Sequence, residues 1–267
     1  RALSSDVMEV GIETERALPF HAGQYARVQF KGYPSRPFSM THPLTTGADP
    51  RSVWFHMRRM MNGRVTPALG NGIRRGHQVT LTGPFGSAHF RSDPDARIVL
   101  VATNTGFAPI WSIAVAALRE NPDRMMMIIV GGRTMEALYM WPALARLARF
   151  PNVLVVPFCS SPQMATNAVK RGRPTDYLPR LLPTDVLYAC GAPGMVAAVK
   201  STAVRFGAVC HADPFGANRD DRDVEKSIAS RFSIAWPNAW RRAGPPSISA
   251  VSGGNGRARK FEWMRQE

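Results

Sequence analysis

Ile98-Val99-Leu100-Val101-Ala102-Thr103-Asn104-Thr105-Gly106-Phe107-Ala108-Pro109 decides how this chain is read. Ile98 to Ala102 is an unbroken apolar run, the pattern of a strand buried on both faces of a parallel sheet. The polar residues Thr103 to Gly106 then break it. Pro109, whose fixed φ suits the first turn of a helix, opens a second apolar run to Leu118. The span Ile98–Leu118 approaches the roughly 20 residues a bilayer requires. The turn and the proline interrupt it, so we read strand, turn and helix and no membrane span.

Toward the C-terminus the alternation continues. Strands are expected at Met125–Val130, Val153–Pro157, Asp185–Ala189 and Ala208–His211, with helices at Pro109–Leu118, Met135–Leu147, Asp176–Leu182 and Gly194–Phe206. Continuous apolar strands alternating with helices imply an open α/β parallel sheet of the nucleotide-binding kind, spanning 93–215. Beyond Phe215 the periodicity fades into Gly, Ser, Pro, Asn and paired charges, so 216–267 is expected to be a disordered C-terminal tail.

Toward the N-terminus the period changes from continuous to alternating. Tyr25 to Phe30, Val53 to Met57 and Gln78 to Leu81 alternate between Gly, Pro and polar clusters, which reads as an antiparallel β-barrel over 1–92. One short helix is expected at Val65–Leu69. The fold class is therefore two domains, β-barrel followed by α/β sheet, and the 267 residues suffice for both.

Lys and Arg number 34 against 19 for Asp and Glu, a formal charge of +15. Such a surface attracts anions, which bears on association rather than on fold. No Lys/Arg block of five occurs, so no nucleic acid partner is expected. Cys159, Cys190 and Cys210 form no disulfide framework and no metal-binding pair, which points to the cytoplasm and to no iron–sulfur cluster within these residues.

Four clusters carry chemistry. The first is Ala22-Gly23-Gln24-Tyr25 with Arg36-Pro37-Phe38-Ser39, Gly63-Arg64-Val65-Thr66 and Gly83-Pro84-Phe85-Gly86. Arg36 to Ser39 alone is a strand edge bearing a charge. Gly63 to Thr66 heads the expected short helix, where unpaired N–H groups and the dipole favour phosphate. The second is the turn at Thr103–Pro109, followed one strand later by Gly131-Gly132-Arg133-Thr134. The third is Tyr188-Ala189-Cys190-Gly191-Ala192-Pro193-Gly194-Met195. The last is Cys210-His211-Ala212-Asp213-Pro214-Phe215.

Taken in order, these segments resemble the ferredoxin–NADP reductase superfamily, in particular the reductase components of bacterial oxygenases. The resemblance covers about residues 5 to 215. It implies FAD in the leading domain and NADH or NADPH as substrate of the trailing one. It also implies an enzyme, an NAD(P)H-dependent flavoprotein reductase passing electrons to an acidic ferredoxin or oxygenase component. By the resemblance, Arg36 pairs with the flavin pyrophosphate, beside Pro37, and Phe38 packs on the isoalloxazine. Ser39 bonds near N5, and Gly63, Val65 and Thr66 cradle the pyrophosphate. Phe38 stands where tyrosine is usual and lacks its hydroxyl, a loss of about 1 kcal/mol.

In the trailing domain the resemblance gives the dinucleotide to Thr105, Gly106 and Pro109, with Thr103 and Asn104 where two glycines are usual. Arg133 meets the adenine ribose, with no acid directly at that strand end. Cys190 orients the nicotinamide, Gly191 lets the backbone close over it, and Phe215 shields the flavin until nicotinamide displaces it. Ser39, Cys190 and Phe215 are thus the expected catalytic set, with no metal. His211 and Asp213 are read as local hydrogen-bonders. The family's first barrel strand is not evident, so an incomplete barrel is expected, and a non-catalytic nucleotide- or partner-binding module is the rival reading.

Overall fold

The computed structural model describes residues 1–42, 51–161, 168–216 and 248–250. Strands β1 (Val7–Glu13), β2 (Tyr25–Phe30), β3 (Arg36–His42), β4 (Ser52–Arg58) and β5 (Val79–Phe85) form an antiparallel sheet in the order β1-β4-β3-β2-β5. Alternation makes this sheet one-sided. Ala26, Val28 and Phe30 of β2 point inward with Met40, Val53, Phe55 and Leu81, while Gln29 between them is exposed. Residues Ile248–Ala250 lie antiparallel on β5. Strand β1 pairs with β4, and its Met8 is bridged by Ala2, so among the described residues the layer is barrel-like without β1 and β5 closing on each other.

The second sheet is parallel throughout. Its strands are β6 (Ile98–Thr103), β7 (Met126–Gly132), β8 (Val153–Cys159), β9 (Lys170–Arg171), β10 (Val186–Gly191) and β11 (Val209–Pro214), in the order β11-β10-β6-β7-β8-β9. Helices α1 (Phe107–Glu120), α2 (Trp141–Leu147) and α3 (Pro193–Arg205) connect them. Every residue of β6 is buried, because the two faces pack against different helices. Ile98, Leu100 and Ala102 share a core with α1 and α2, while Val99 and Val101 share another with α3. The unbroken apolar run in the sequence is this double burial.

Three expected helices differ, each for a backbone reason. Met135–Leu147 is a 3-10 turn, Met135–Leu138, followed by α2 from Trp141. Pro142 has no N–H to give the Leu138 carbonyl, and in a continuous helix its ring would crowd that carbonyl, so the helix restarts with Pro142 in its first turn. In place of Asp176–Leu182 there is a 3-10 turn at Pro174–Tyr177, ending where Leu178 becomes extended ahead of Pro179. Val65–Leu69 is reduced to a 3-10 turn at Thr66–Ala68, with Leu69 extended. The 216–267 tail lies outside the described residues except at Gly216 and 248–250.

The two layers meet along a polar seam. Gly23 N–H donates to buried Ser112 Oγ of α1 at 2.9 Å, and Ser112 Oγ donates in turn to Pro109 O at 2.8 Å. Buried His56 Nδ1 lies 3.0 Å from Tyr139 OH. Asp213 accepts from Ala88 N–H at 3.1 Å and from the N–H and hydroxyl of Ser87.

Candidate active site

In the parallel sheet the chain leaves β6 toward β7 on one side, while β10 pairs with β6 on the other. Such a switch point opens a crevice at the carboxyl ends of the strands, the general ligand site of open α/β sheets. The turn Thr103–Gly106 and the turn Cys190–Ala192 face each other across it. Contact is close: a Cβ on Gly106 would sit 2.1 Å from Cys190 O, and one on Gly191 would sit 2.3 Å from Thr103 Oγ1. These glycines are required by the chain's own backbones meeting, before any ligand is considered.

Asn104 occupies a left-handed conformation, φ 52°, the only such non-glycine among the described residues. Asparagine tolerates that region better than most residues, so it keeps the path that glycine would give. Thr103 stays extended at φ −124°, and its Oγ1 accepts the Ala192 N–H at 2.8 Å. The 14-residue α1 begins here with no side chain capping its N-terminus. Its positive end is left for an anion, so the donor set fits a dinucleotide phosphate.

Across the seam, Arg36, Pro37, Phe38 and Ser39 lie along β3, with Arg36 exposed, Phe38 half-buried and Ser39 buried. Arg36 Nη1 donates to Ser35 O at 2.8 Å, which leaves the rest of the guanidinium for a phosphate. Gly63 N–H closes a turn on Met60 O at 2.7 Å, and Thr66 Oγ1 accepts the Met60 N–H at 3.0 Å, so that hydroxyl retains a proton to donate. Val65 packs in the core cluster that Phe38 flanks. The expected helix dipole is absent here, because a three-residue 3-10 turn containing Pro67 has almost none. A phosphate at this turn would therefore rest on Arg36, Thr66 and local N–H groups. With a ring face at Phe38, that set fits a flavin dinucleotide.

Cys190 is buried and paired in register with Ala102 and Asp213. Burial, with the Asp213 charge adding, holds its thiol far above the ordinary range, so it is a neutral packing group and no nucleophile. Phe215 is half-exposed beside it, with its N–H on Gly191 O at 2.7 Å. Desolvation lowers His89 and His211, and Arg91 adds to the effect on both. Arg133 follows β7 on the surface, its carbonyl accepting from Ser161 N–H and the Cys159 thiol.

Thus Thr105, Gly106, Pro109, Cys190, Gly191 and Phe215 converge on one crevice. Arg36 to Ser39 and Gly63 to Thr66 form a second group on the β layer, and Arg133 stands apart. Sequence reasoning missed Ser112, His56 and Tyr139, which join the layers. It also missed Glu136, which lines a cleft with Asn104, Thr105, Thr134, Asp6 and Arg58. The Glu136 carboxyl is held below the usual range by a hydrogen bond from the Thr134 hydroxyl and one from its own N–H. An acid four residues past a strand end was the available signal for Glu136. None existed for contacts across the seam.

An antiparallel, barrel-like layer is thus followed by a parallel α/β sheet of the nucleotide-binding kind, with two phosphate-suited turns on opposite sides of one seam. Comparison with known proteins agrees. The family model "Oxidoreductase NAD-binding domain" matches residues 100–201. The reductase component of the naphthalene 1,2-dioxygenase system of Pseudomonas putida is 29% identical over 209 residues, 76% of this chain and 61% of that protein. The corresponding naphthalene 1,2-dioxygenase/salicylate 5-hydroxylase component of a Ralstonia species is 34% identical over 218 residues, 79% of this chain and 65% of that protein. The crystal structure of an Amycolatopsis cytochrome P450 reductase superposes with a TM-score of 0.70 at 29% identity, covering 80% of this chain and 67% of that one. In fold and sequence the chain is thus similar to reductases of the ferredoxin–NADP reductase superfamily, the resemblance its motifs carry. The chain spans about three-fifths to two-thirds of the length of these curated relatives.

Proposed function

We propose that the chain is the flavin-reducing unit of an oxygenase electron-transfer system. It takes a hydride from NADH or NADPH and passes single electrons to an iron–sulfur or haem acceptor. The observation that carries this reading is the meeting of the β6 and β10 turns at the switch point, with Phe215 fastened beside them, across a seam from Arg36, Phe38 and Ser39. FAD, when bound, accepts two electrons together and releases them one at a time.

The chain's own residues bind and position. Arg36, Pro37, Gly63, Val65 and Thr66 hold the flavin pyrophosphate, Phe38 supports the ring and Ser39 donates near N5. Thr105, Gly106 and Pro109 hold the nucleotide phosphates at the head of α1, and Arg133 stands by the ribose. Cys190 packs against the nicotinamide as a neutral thiol, Gly191 lets the backbone close over it, and Phe215 excludes water until the ring arrives. Rate comes chiefly from proximity, with reacting atoms about 3–3.5 Å apart. In this reading residues 1–92 form the flavin domain and 93–215 the nucleotide domain.

The charge of +15 supports an acidic electron acceptor, with association that weakens as salt rises. Three free cysteines support a cytoplasmic setting. No helix among the described residues is long and apolar enough to cross a membrane. The test is to load the protein with FAD and follow ferricyanide or cytochrome c reduction with NADH and with NADPH. Turnover is expected with at least one nucleotide. Flavin bound without turnover would replace the enzyme reading by the binding-module one, and no flavin binding at all would remove both.

A further inference from the structure

Thr103 stands where the resemblance leads to glycine, and its hydroxyl has a definite partner. Oγ1 accepts the Ala192 N–H at 2.8 Å. The other end of the same peptide unit, the Gly191 carbonyl, accepts the Phe215 N–H at 2.7 Å. A peptide unit is planar and rigid, so the two bonds are linked: a rotation of the Gly191–Ala192 plane that breaks one strains the other. Gly191 holds that plane at φ 130°, in the left-handed half of backbone space, where its missing side chain leaves room for Thr103. At one end of this chain of bonds is Thr103, a residue 7% exposed, and at the other Phe215, 38% exposed.

We propose that Thr103 is a positioning residue that fixes Phe215 through the Gly191–Ala192 peptide. The turn that receives the nucleotide and the ring that must yield to it are thereby mechanically coupled. Its bearing on turnover rests on the reductase reading above, whereas the coupling itself stands on geometry. Coupling is reciprocal: whatever loosens Thr103 loosens the Phe215 backbone, and a nucleotide that shifts the turn releases the ring.

Two measurements test it. In the protein without flavin or nucleotide, Thr103→Val keeps the shape and removes the polar acceptor. Amide hydrogen exchange at both Ala192 and Phe215 is expected to quicken at least about fivefold, the equivalent of one lost hydrogen bond, and Thr103→Ser is expected to restore both. Faster exchange at Ala192 alone overturns the coupling. Should the valine variant not fold, Thr103→Gly removes the same acceptor with less bulk. In the flavin-loaded protein, Thr103→Val is expected to change the nucleotide KM several-fold when Phe215 is present and hardly at all in a Phe215→Ala background. Equal effects in both backgrounds overturn the coupling as well. Failure of the exchange test leaves the reductase reading intact, and failure of turnover leaves the exchange result intact.

Discussion

The two phosphate-suited turns are built differently. The turn at Thr103–Gly106 is buried at both ends, half-buried at Asn104 and Thr105, and pressed against a neighbouring strand end, so that a Cβ at Gly106 would lie 2.1 Å from a backbone oxygen. The turn at Met60–Thr66 closes on itself: a Cβ at Gly63 would lie 3.0 Å from Met60 O, with Met60 Cβ and the adjoining Pro67 next nearest. Met60, Met61, Asn62 and Arg64 around it are exposed. The first turn is therefore finished by tertiary packing before any ligand binds, whereas the second depends on its ligand for its remaining contacts. Preorganisation belongs to the nucleotide side, which a reversibly docking substrate needs most.

Substitution at Gly106 gives the sharpest contrast. Gly106→Ala forces backbone from backbone and is expected to cost about 3 kcal/mol in chemical denaturation, with loss of nucleotide binding. A cost below the noise of the measurement would mean the close approach is slack. Ser112→Ala strands the buried Gly23 N–H at the seam and is expected to cost about 1–3 kcal/mol. It should also lower the rate of flavin reduction by NADH more than it raises KM, because the seam sets alignment rather than affinity. A pure KM effect would place Ser112 outside the alignment of the two layers.

Acidity probes the same seam. His89 and His211 sit below the ordinary imidazole value of 6.5, chiefly through desolvation, so each binds fewer protons folded than unfolded. Stability is then full above that value and declines as pH falls through it toward the folded pKa. His89→Asn with His211→Asn is expected to flatten the decline below about pH 6.5, and an unchanged slope would remove the two rings from the account. The smallest effect is expected for Gly63→Ala. Fold stability should change by less than about 0.5 kcal/mol, as for a surface site, while FAD retention weakens. A Gly63→Ala cost as large as that of Gly106→Ala would erase the distinction between the turns.

Much of this was legible residue by residue. Ile98 to Ala102 announced a two-sided strand, and Tyr25 to Phe30 a one-sided one, because burial on two faces and on one face leaves different apolar periods. The crevice residues were legible as short ordered motifs. The helix at Met135–Leu147 was misread because apolar spacing continues from Met135 onward, whereas the backbone restarts at Trp141 with Pro142 in the first turn of α2. The turn at Gly63–Thr66 was credited with the dipole of a helix over Val65–Leu69, which a three-residue turn does not supply. Thr103 was legible as a departure from a pattern, while its partner was not, since Ala192 lies 89 residues away.

Local sequence thus determined the two layer types, the order of the turns and the chemistry each can hold, because period, glycine and charge act over a few residues. Which backbone meets which was decided only by tertiary structure. The Gly106 and Cys190 turns, Ser112 and Gly23, and Thr103 and the peptide that carries Phe215 are contacts between distant segments, brought together by the parallel pairing of β6 with β10 and by burial of both layers against one seam.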